Sequence, residues 1–183
     1  MPRTLVVYYS RTGNTRKAAQ RLASALGADV EEIVDQSHRS GVRGYLRSAV
    51  EATLGREAEI VGSVSDPSTY DVVVIGTPIW SSSVSSPVRA YLGRHKAALR
   101  NVAFFCTCGG RGASRVFRQM EKICHKAPKT TMVLRESEIV RGTALGKIDG
   151  FARQVRGPVG VPTPGGKPPK STSTSNGHRA LTF

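Results

Sequence analysis

Residues 4–15 of this chain read TLVVYYSRTGNT, and this stretch decides the fold. Its first half, Thr4 to Tyr9, is almost entirely β-branched, apolar or aromatic, which is typical of a strand buried on both faces of a parallel sheet. Its second half, Ser10 to Thr15, has the composition of a turn and a helix cap, and apolar residues then recur at helical spacing until Gly27. The stretch therefore predicts a strand, a loop and a helix.

The same alternation of strand and helix continues along the chain. We predict further strands at 30–34, 71–76, 101–106 and 131–134, helices at 42–54, 87–92, 116–124 and 148–155, an uncharged loop at 77–86, and a glycine-rich loop at 107–112. This spacing predicts an α/β domain over residues 1–156, with a doubly wound five-stranded parallel sheet and helices on both faces. Residues 157–183 are basic and rich in Pro, Gly, Ser and Thr, and we predict that they form a disordered tail.

Composition narrows the class of protein. Lys and Arg number 27 against 13 Asp and Glu, a formal net charge of +14, which favours a nucleic-acid or membrane-surface partner. The charge is dispersed, however, so a solvated basic surface explains it equally well, and we predict no specific nucleic-acid partner and only weak, salt-sensitive DNA binding.

The same composition predicts a cytoplasmic protein. The three cysteines cannot form a dense disulfide framework. No apolar run approaches the roughly 20 residues of a transmembrane segment, and Pro2 and Arg3 lead directly into a strand instead of a signal peptide.

In an open parallel sheet, ligands bind outside the carboxyl ends of the strands. The loop after the first strand combines hydroxyls, an amide and a glycine at a helix N-terminus, where free N–H groups and the helix dipole favour an anion such as phosphate. The alternative is that Asn14 or Thr15 only caps the helix, which leaves Ser10 and Thr12 without a role. The loop lacks the Gly-Lys-Ser/Thr element of a nucleotide triphosphate site, and no G-x-G-x-x-G follows any strand.

The loops after the third and fourth strands are also unusual. The only tryptophan, Trp80, follows a strand end on a Pro-stiffened, serine-rich loop, so it is placed either in the core or against a planar ligand. The glycine-rich loop contains Cys106 and Cys108, but the four histidines have no ligand spacing, so a zinc site is not predicted. A catalytic thiol stays an alternative, although nothing in the sequence shows how its pKa would be lowered.

A phosphate loop, an aromatic loop and a glycine-rich loop in this order resemble the flavodoxin family. Residues 6–22, VVYYSRTGNTRKAAQRL, match the family signature at every constrained position, and residues 74–80, VIGTPIW, look like its second flavin loop. The resemblance covers about residues 3–156 and implies a bound flavin mononucleotide (FMN).

The resemblance also implies which residues hold this cofactor. Those around the phosphate would be Ser10, Arg11, Thr12, Gly13, Asn14 and Thr15. Those flanking the flavin ring would be Thr77, Pro78, Ile79, Trp80 and Ser81 on one side and Thr107, Cys108, Gly109 and Gly110 along the other edge. The protein is then expected to hold the ring and tune its electronics.

Two departures from the family pattern bear on function. The third loop has no aromatic residue to cover the second face of the ring, so that face is expected to be open to a substrate. The site loops carry Arg11 and Arg111 and no acid, and nearby cations are expected to stabilise the reduced, anionic flavin and raise its potential.

The sequence leaves several functions open. One is a redox protein that exchanges electrons with a partner protein or a small acceptor such as a quinone. Another is an enzyme resembling the flavodoxin-like NAD(P)H:quinone reductases or the quinone-dependent protoporphyrinogen oxidases, and a third is a flavin-free basic binding module.

Overall fold

The computed structural model describes residues 2–35 and 64–157. Its strands are β1 (Thr4–Tyr8), β2 (Asp29–Glu32), β3 (Val72–Trp80), β4 (Ser83–Val84), β5 (Asn101–Cys108) and β6 (Thr131–Arg135). Five of them form a parallel sheet in the order β2-β1-β3-β5-β6, and β4 pairs antiparallel with the end of β3. The predicted five-stranded parallel sheet is confirmed, with one short antiparallel strand added.

Helices cover both faces of this sheet. They are α1 (Asn14–Leu26), α2 (Ser86–His95), α3 (Ala113–Cys124), α4 (Glu136–Arg141) and α5 (Leu145–Arg156). Successive side chains of a strand point to opposite faces. Val6 and Phe105 accordingly join the core beneath α1 and α5, whereas Val7 and Phe104 join the core beneath α2 and α3. This two-sided burial explains the continuous apolar runs in the sequence.

The region predicted as a loop at 77–86 is instead a continuation of β3 followed by a hairpin. Ile79 pairs with Val84 and Trp80 with Ser83, leaving a two-residue turn. Both turn residues, Ser81 and Ser82, have positive φ values of 47° and 57°. Such turns match the twist of the flanking strands but usually contain Asn or Gly, so two serines gave no hairpin signal.

Other boundaries also shift. The second strand was predicted at 30–34 but lies at Asp29–Glu32, β5 extends through Cys108, and α2 and α5 are longer than predicted. Helix α4 was not predicted at all. It lacks the length for a periodic pattern, and its start is fixed by the Glu138 carboxylate, which accepts a 2.8 Å hydrogen bond from the Arg135 N–H.

Two predicted segments, the helix at 42–54 and residues 158–183 of the tail, lie outside the described residues. In the part of the chain that the structure describes, no helix is both long and apolar enough to cross a membrane.

Gly76 sits where the central strand packs against a phenyl ring, and this yields a stability prediction. A Cβ added at Gly76 would lie 2.1 Å from the Phe105 ring. We expect Gly76→Ala to lower the free energy of unfolding by about 1–3 kcal/mol through overpacking, measured by denaturant titration. In the control Gly146→Ala, the added methyl meets nothing within 4 Å. That variant is expected to be neutral or stabilised by up to about 1 kcal/mol. Equal stabilities for the two variants would contradict the packing described.

Candidate functional site

The strand order brings the three candidate segments side by side. Tyr8 pairs with Gly76 on β3, and Gly76 pairs with Phe105 on β5. Beyond β1, the Tyr9 N–H donates to the Gly76 carbonyl at 3.2 Å, which keeps the start of the β1–α1 loop on β3. The polar ends of β1, β3 and β5 therefore lie at one edge of the sheet, as the sequence predicts.

The β1–α1 loop ends in a helix N-terminus that carries no side-chain cap among the described residues. Gly13 is the cap residue, with φ 87° in the left-handed region, and the first helical bond runs from the Lys17 N–H to the Gly13 carbonyl at 3.0 Å. The first N–H groups of a helix have no acceptor within it. Neither Asn14 nor Thr15 caps α1, so the alternative reading of this loop as a simple helix cap is wrong.

Two hydroxyls of this loop have different surroundings. The Ser10 Oγ is buried and has no hydrogen-bond partner in the described structure. The Thr15 Oγ1 is also buried but lies 2.8 Å from the Thr107 Oγ1 at the end of β5. A buried hydroxyl without a partner is costly, so Ser10 marks a place where an acceptor is missing. Thr15 keeps hydrogen-bonding capacity, because a hydroxyl both donates and accepts.

Trp80 is partly buried at the end of β3, beside the β1–α1 loop. The Tyr9 ring meets it edge to face, with centroids 5.9 Å apart and an interplanar angle of 87°. The Arg11 guanidinium carbon lies 5.8 Å from the Trp80 ring centroid. Trp80 is therefore at the candidate site and outside the main cores. Tyr9 is a site residue that the sequence reasoning missed, although its place directly before Ser10 could have indicated it.

The other residues predicted on this strand end are less accessible. Thr77 is fully buried, and its hydroxyl lies 3.1 Å from the Ser85 Oγ and accepts a bond from the Ser85 N–H at 3.2 Å. The structure thus places the Thr77 side chain within the base of the hairpin. Pro78 is buried, Ile79 is partly buried and Ser81 is exposed.

The β5–α3 loop forms the other side of the site. Thr107 and Cys108 are buried in β5, whereas Gly109, Gly110 and Arg111 are exposed. Gly112 has φ 108°, and a Cβ there would lie 2.8 Å from the Ser82 Oγ. This close approach, which the sequence reasoning missed, packs the glycine-rich loop against the hairpin.

The cysteines in this region are poorly suited to nucleophilic chemistry. Burial, with a smaller contribution from the neighbouring Cys108, raises the pKa of the Cys106 thiol to about 12. The Cys108 Sγ lies 3.4 Å from the Gly110 carbonyl oxygen, and all three cysteines are free and buried. A reactive cysteine needs a lowered pKa and access, so the catalytic-thiol alternative has no support at Cys106. Within residues 2–35 and 64–157, no group of acidic, His and Cys side chains could hold a metal ion.

Charges near the loops are distributed unevenly. Arg16, in the first turn of α1, donates two hydrogen bonds of 3.0 and 2.8 Å to the Glu32 carboxylate. The Tyr8 hydroxyl also donates to Glu32, and burial together with this carboxylate raises the pKa of Tyr8. Arg11 and Arg111 are the exposed cations of the site loops themselves.

The sheet is parallel with helices on both faces, the helix N-terminus after β1 has no side-chain cap, and Trp80 begins the hairpin at the end of β3. These features are typical of α/β domains that bind a ligand at the carboxyl ends of the strands. The family model described as Flavodoxin matches residues 3–145. The chain therefore belongs to the flavodoxin family, as its resemblance indicated. A search of curated protein sequences gives no significant match.

Solved structures support the same fold. A flavoprotein from Lactobacillus acidophilus NCFM, solved in complex with FMN, is 22% identical, with a TM-score of 0.62 over 78% of this chain and 99% of that one. A putative flavoprotein from Bacteroides eggerthii DSM 20697 is 27% identical, with a TM-score of 0.66 over 79% and 96%. Another from Bacteroides uniformis ATCC 8492 is 20% identical, with a TM-score of 0.69 over 83% and 98%.

Burial of the thiols leads to a prediction about their reactivity. In the native protein at about pH 8, we expect no cysteine to react within minutes with a chromogenic disulfide reagent, because the thiols are buried and Cys106 stays protonated. After unfolding in guanidinium chloride, all three should react. Rapid labelling of Cys106 in the folded protein, located by peptide mapping, would show that its burial is wrong.

Proposed function

We propose that this protein binds FMN where β1, β3 and β5 end, and that it exchanges electrons with a partner protein or a small acceptor. One observation carries the proposal. The buried, unpartnered Ser10 hydroxyl lies in the loop that leads to the uncapped N-terminus of α1. Together these groups offer donors to a phosphate, and the helix dipole favours its negative charge.

The residues present fit both ends of FMN. The phosphate would be held by Ser10, Arg11, Thr12, Gly13, Asn14 and Thr15. The ring would lie by Trp80, with Pro78, Ile79 and Ser81 on the hairpin side and Gly109 and Gly110 across from them. Thr77 and Thr107 would support these contacts from beneath, since their side chains are buried.

When bound, the flavin supplies the capacity to accept and release electrons, and the protein supplies binding and electrostatics. The relative from Lactobacillus acidophilus was solved in complex with FMN, which supports the same cofactor here.

A second candidate, an NAD(P)H:quinone reductase, is favoured by one specific observation. Gly109, Gly110 and Arg111 are exposed, and the loop they belong to has no aromatic side chain to cover the second face of the ring. A small planar acceptor such as a quinone can then approach that face. The sequence contains no motif for binding a nicotinamide cofactor, so NADH and NADPH are tested directly as electron donors in an assay.

The phosphate contact is tested by Ser10→Ala. Because the Ser10 Oγ has no partner in the described structure, its removal should leave the stability of the FMN-free protein unchanged or raise it by about 1 kcal/mol. Loss of a charge-assisted hydrogen bond should weaken FMN binding about tenfold or more. Riboflavin lacks the phosphate, so its dissociation constant should stay within about twofold of the value for the unsubstituted protein. Quenching of flavin and Trp80 fluorescence gives the dissociation constants.

Two control variants sharpen this test. Ser24→Ala, on the exposed side of α1, removes a hydroxyl bonded to the Gln20 carbonyl and should change neither ligand's affinity. Thr15→Ala should also weaken FMN more than riboflavin, but it should lower stability by about 1–3 kcal/mol, because Thr107 is left without its partner. Equal losses for FMN and riboflavin in Ser10→Ala would show that Ser10 does not contact a phosphate.

The reductase candidate is decided by a steady-state assay. The FMN-loaded protein is expected to oxidise NADH or NADPH with a quinone as acceptor, at a rate that disappears when FMN is removed. If the loaded protein shows no turnover, the reductase is rejected and the electron carrier stands.

A further inference from the structure

Helix α3 holds the hairpin that carries Trp80 through one side chain, Gln119. We call residues 79–84 the Trp80 hairpin. Its return strand, β4, ends at Val84, whose N–H donates to the Gln119 Oε1 at 3.0 Å. Val84 is fully buried, so its N–H is out of reach of bulk water. Loss of the acceptor would leave a buried donor unpaired, and such a donor is costly.

The direction of this N–H follows from the pairing of β3 with β4. Trp80 and Ser83 flank the two-residue turn, and Ile79 pairs with Val84 one step further from it. In an antiparallel ladder, pairs that exchange backbone hydrogen bonds alternate with pairs that do not. The Val84 N–H, which bonds to α3, accordingly points away from β3. Gln119 therefore supplies an acceptor that the sheet does not offer.

The turn of the Trp80 hairpin depends on support of this kind. Ser81 and Ser82 both have positive φ, a conformation that is unfavourable for residues with a Cβ. Strained backbone persists only where the surrounding structure fixes it. One fixing contact is at Gly112, where an added Cβ would lie 2.8 Å from the Ser82 Oγ. The other is the hydrogen bond to Gln119.

Helix α3 thus contacts both segments that would line the flavin ring. Gly112 is the N-terminal cap residue of α3 and ends the glycine-rich loop. Gln119 lies about two turns further along the helix. Val116 and Met120, its neighbours on the same side of α3, are buried in the core and fix the helix on the sheet. A common base of this kind sets the width of the gap between the glycine-rich loop and Trp80.

We propose that Gln119 is a positioning residue for the flavin ring. By accepting the hydrogen bond from Val84, it holds Trp80 at the distance from the glycine-rich loop that a flat ring requires. The proposal rests on the proposed function, since it assigns a role at the ring end of the same site. The phosphate end is carried by a different segment, residues 10–15, so Gln119 is expected to act equally on flavins with and without a phosphate.

The test compares FMN with riboflavin in Gln119→Met. Met has a similar length and a similar preference for helix, but its sulfur is only a weak acceptor. Both flavins should bind about fivefold or more weakly, and by the same factor within about twofold, as measured by fluorescence quenching. Trp80 is the only tryptophan of the chain. Its emission in the flavin-free protein should therefore move to longer wavelength as the hairpin loosens and the ring meets water.

Two further variants serve as controls. Gln119→Glu keeps a side-chain oxygen that accepts the Val84 N–H, so both affinities should return to within about twofold of the unsubstituted protein. Gln154→Met removes the same amide from α5, where it accepts a hydrogen bond from the Thr130 hydroxyl at the opposite end of the sheet. That variant should change neither the flavin affinities nor the emission of Trp80.

A double-mutant cycle shows whether Gln119 acts through Trp80. In a Trp80→Ala background, Gln119→Met should change riboflavin affinity by less than about twofold, because the ring that it positions is absent. If the losses of the two substitutions multiply, Gln119 does not act through Trp80 and the proposal is overturned.

Other results also overturn the positioning role. These are unchanged riboflavin affinity in Gln119→Met, a loss confined to FMN, or an equal loss in Gln154→Met. A different result, in which the unsubstituted protein binds neither flavin, rejects the proposed function itself.

Discussion

The pairing of β3 with β1 on one side and with β5 on the other is the constraint on which the rest of the structure depends. All three strands are buried on both faces, so along most of their length they can carry only apolar side chains. Polar groups are admitted where the strands end, and parallel pairing brings those ends to one edge. The hydrogen bond between Thr15 and Thr107 then joins the first loop to the end of β5 across this edge.

Sequence patterns predicted the parts of the molecule that local chemistry controls. The first strand, its loop and α1 lie within two residues of their predicted positions, because a buried apolar run, a glycine cap and helical periodicity act over short distances. The position of Gly27 shows this well, since its φ of 61° ends α1 as predicted. The parallel sheet with helices on both faces followed from the general behaviour of alternating strands and helices.

Features set by tertiary contact were not predicted from the sequence. The hairpin at Ser81 and Ser82 forms because β4 pairs with β3, and its serines adopt positive φ against their usual preference. The close approach of Gly112 to Ser82 and the contact between Tyr9 and Trp80 likewise join residues distant in sequence. The hydrogen bonds of the buried Thr77 side chain with Ser85, which support the base of the hairpin, were likewise not predicted.

The groups at the site share one electrostatic property, which links binding to reactivity under the proposed function. The start of α1 is positive, the Arg11 guanidinium carbon lies 5.8 Å from the Trp80 ring centroid, and Glu32 at the end of β2 is paired with Arg16. A phosphate and an electron added to the flavin are both negative, so the same positive groups favour both. The effect of each arginine on a negative group falls with the distance between them. Removing the arginines one at a time should therefore distinguish their effects on the phosphate from those on the flavin. Under the proposed function, Arg11, which lies beside Trp80, is expected to act most strongly on the flavin, and Arg111, on the exposed β5–α3 loop, less strongly.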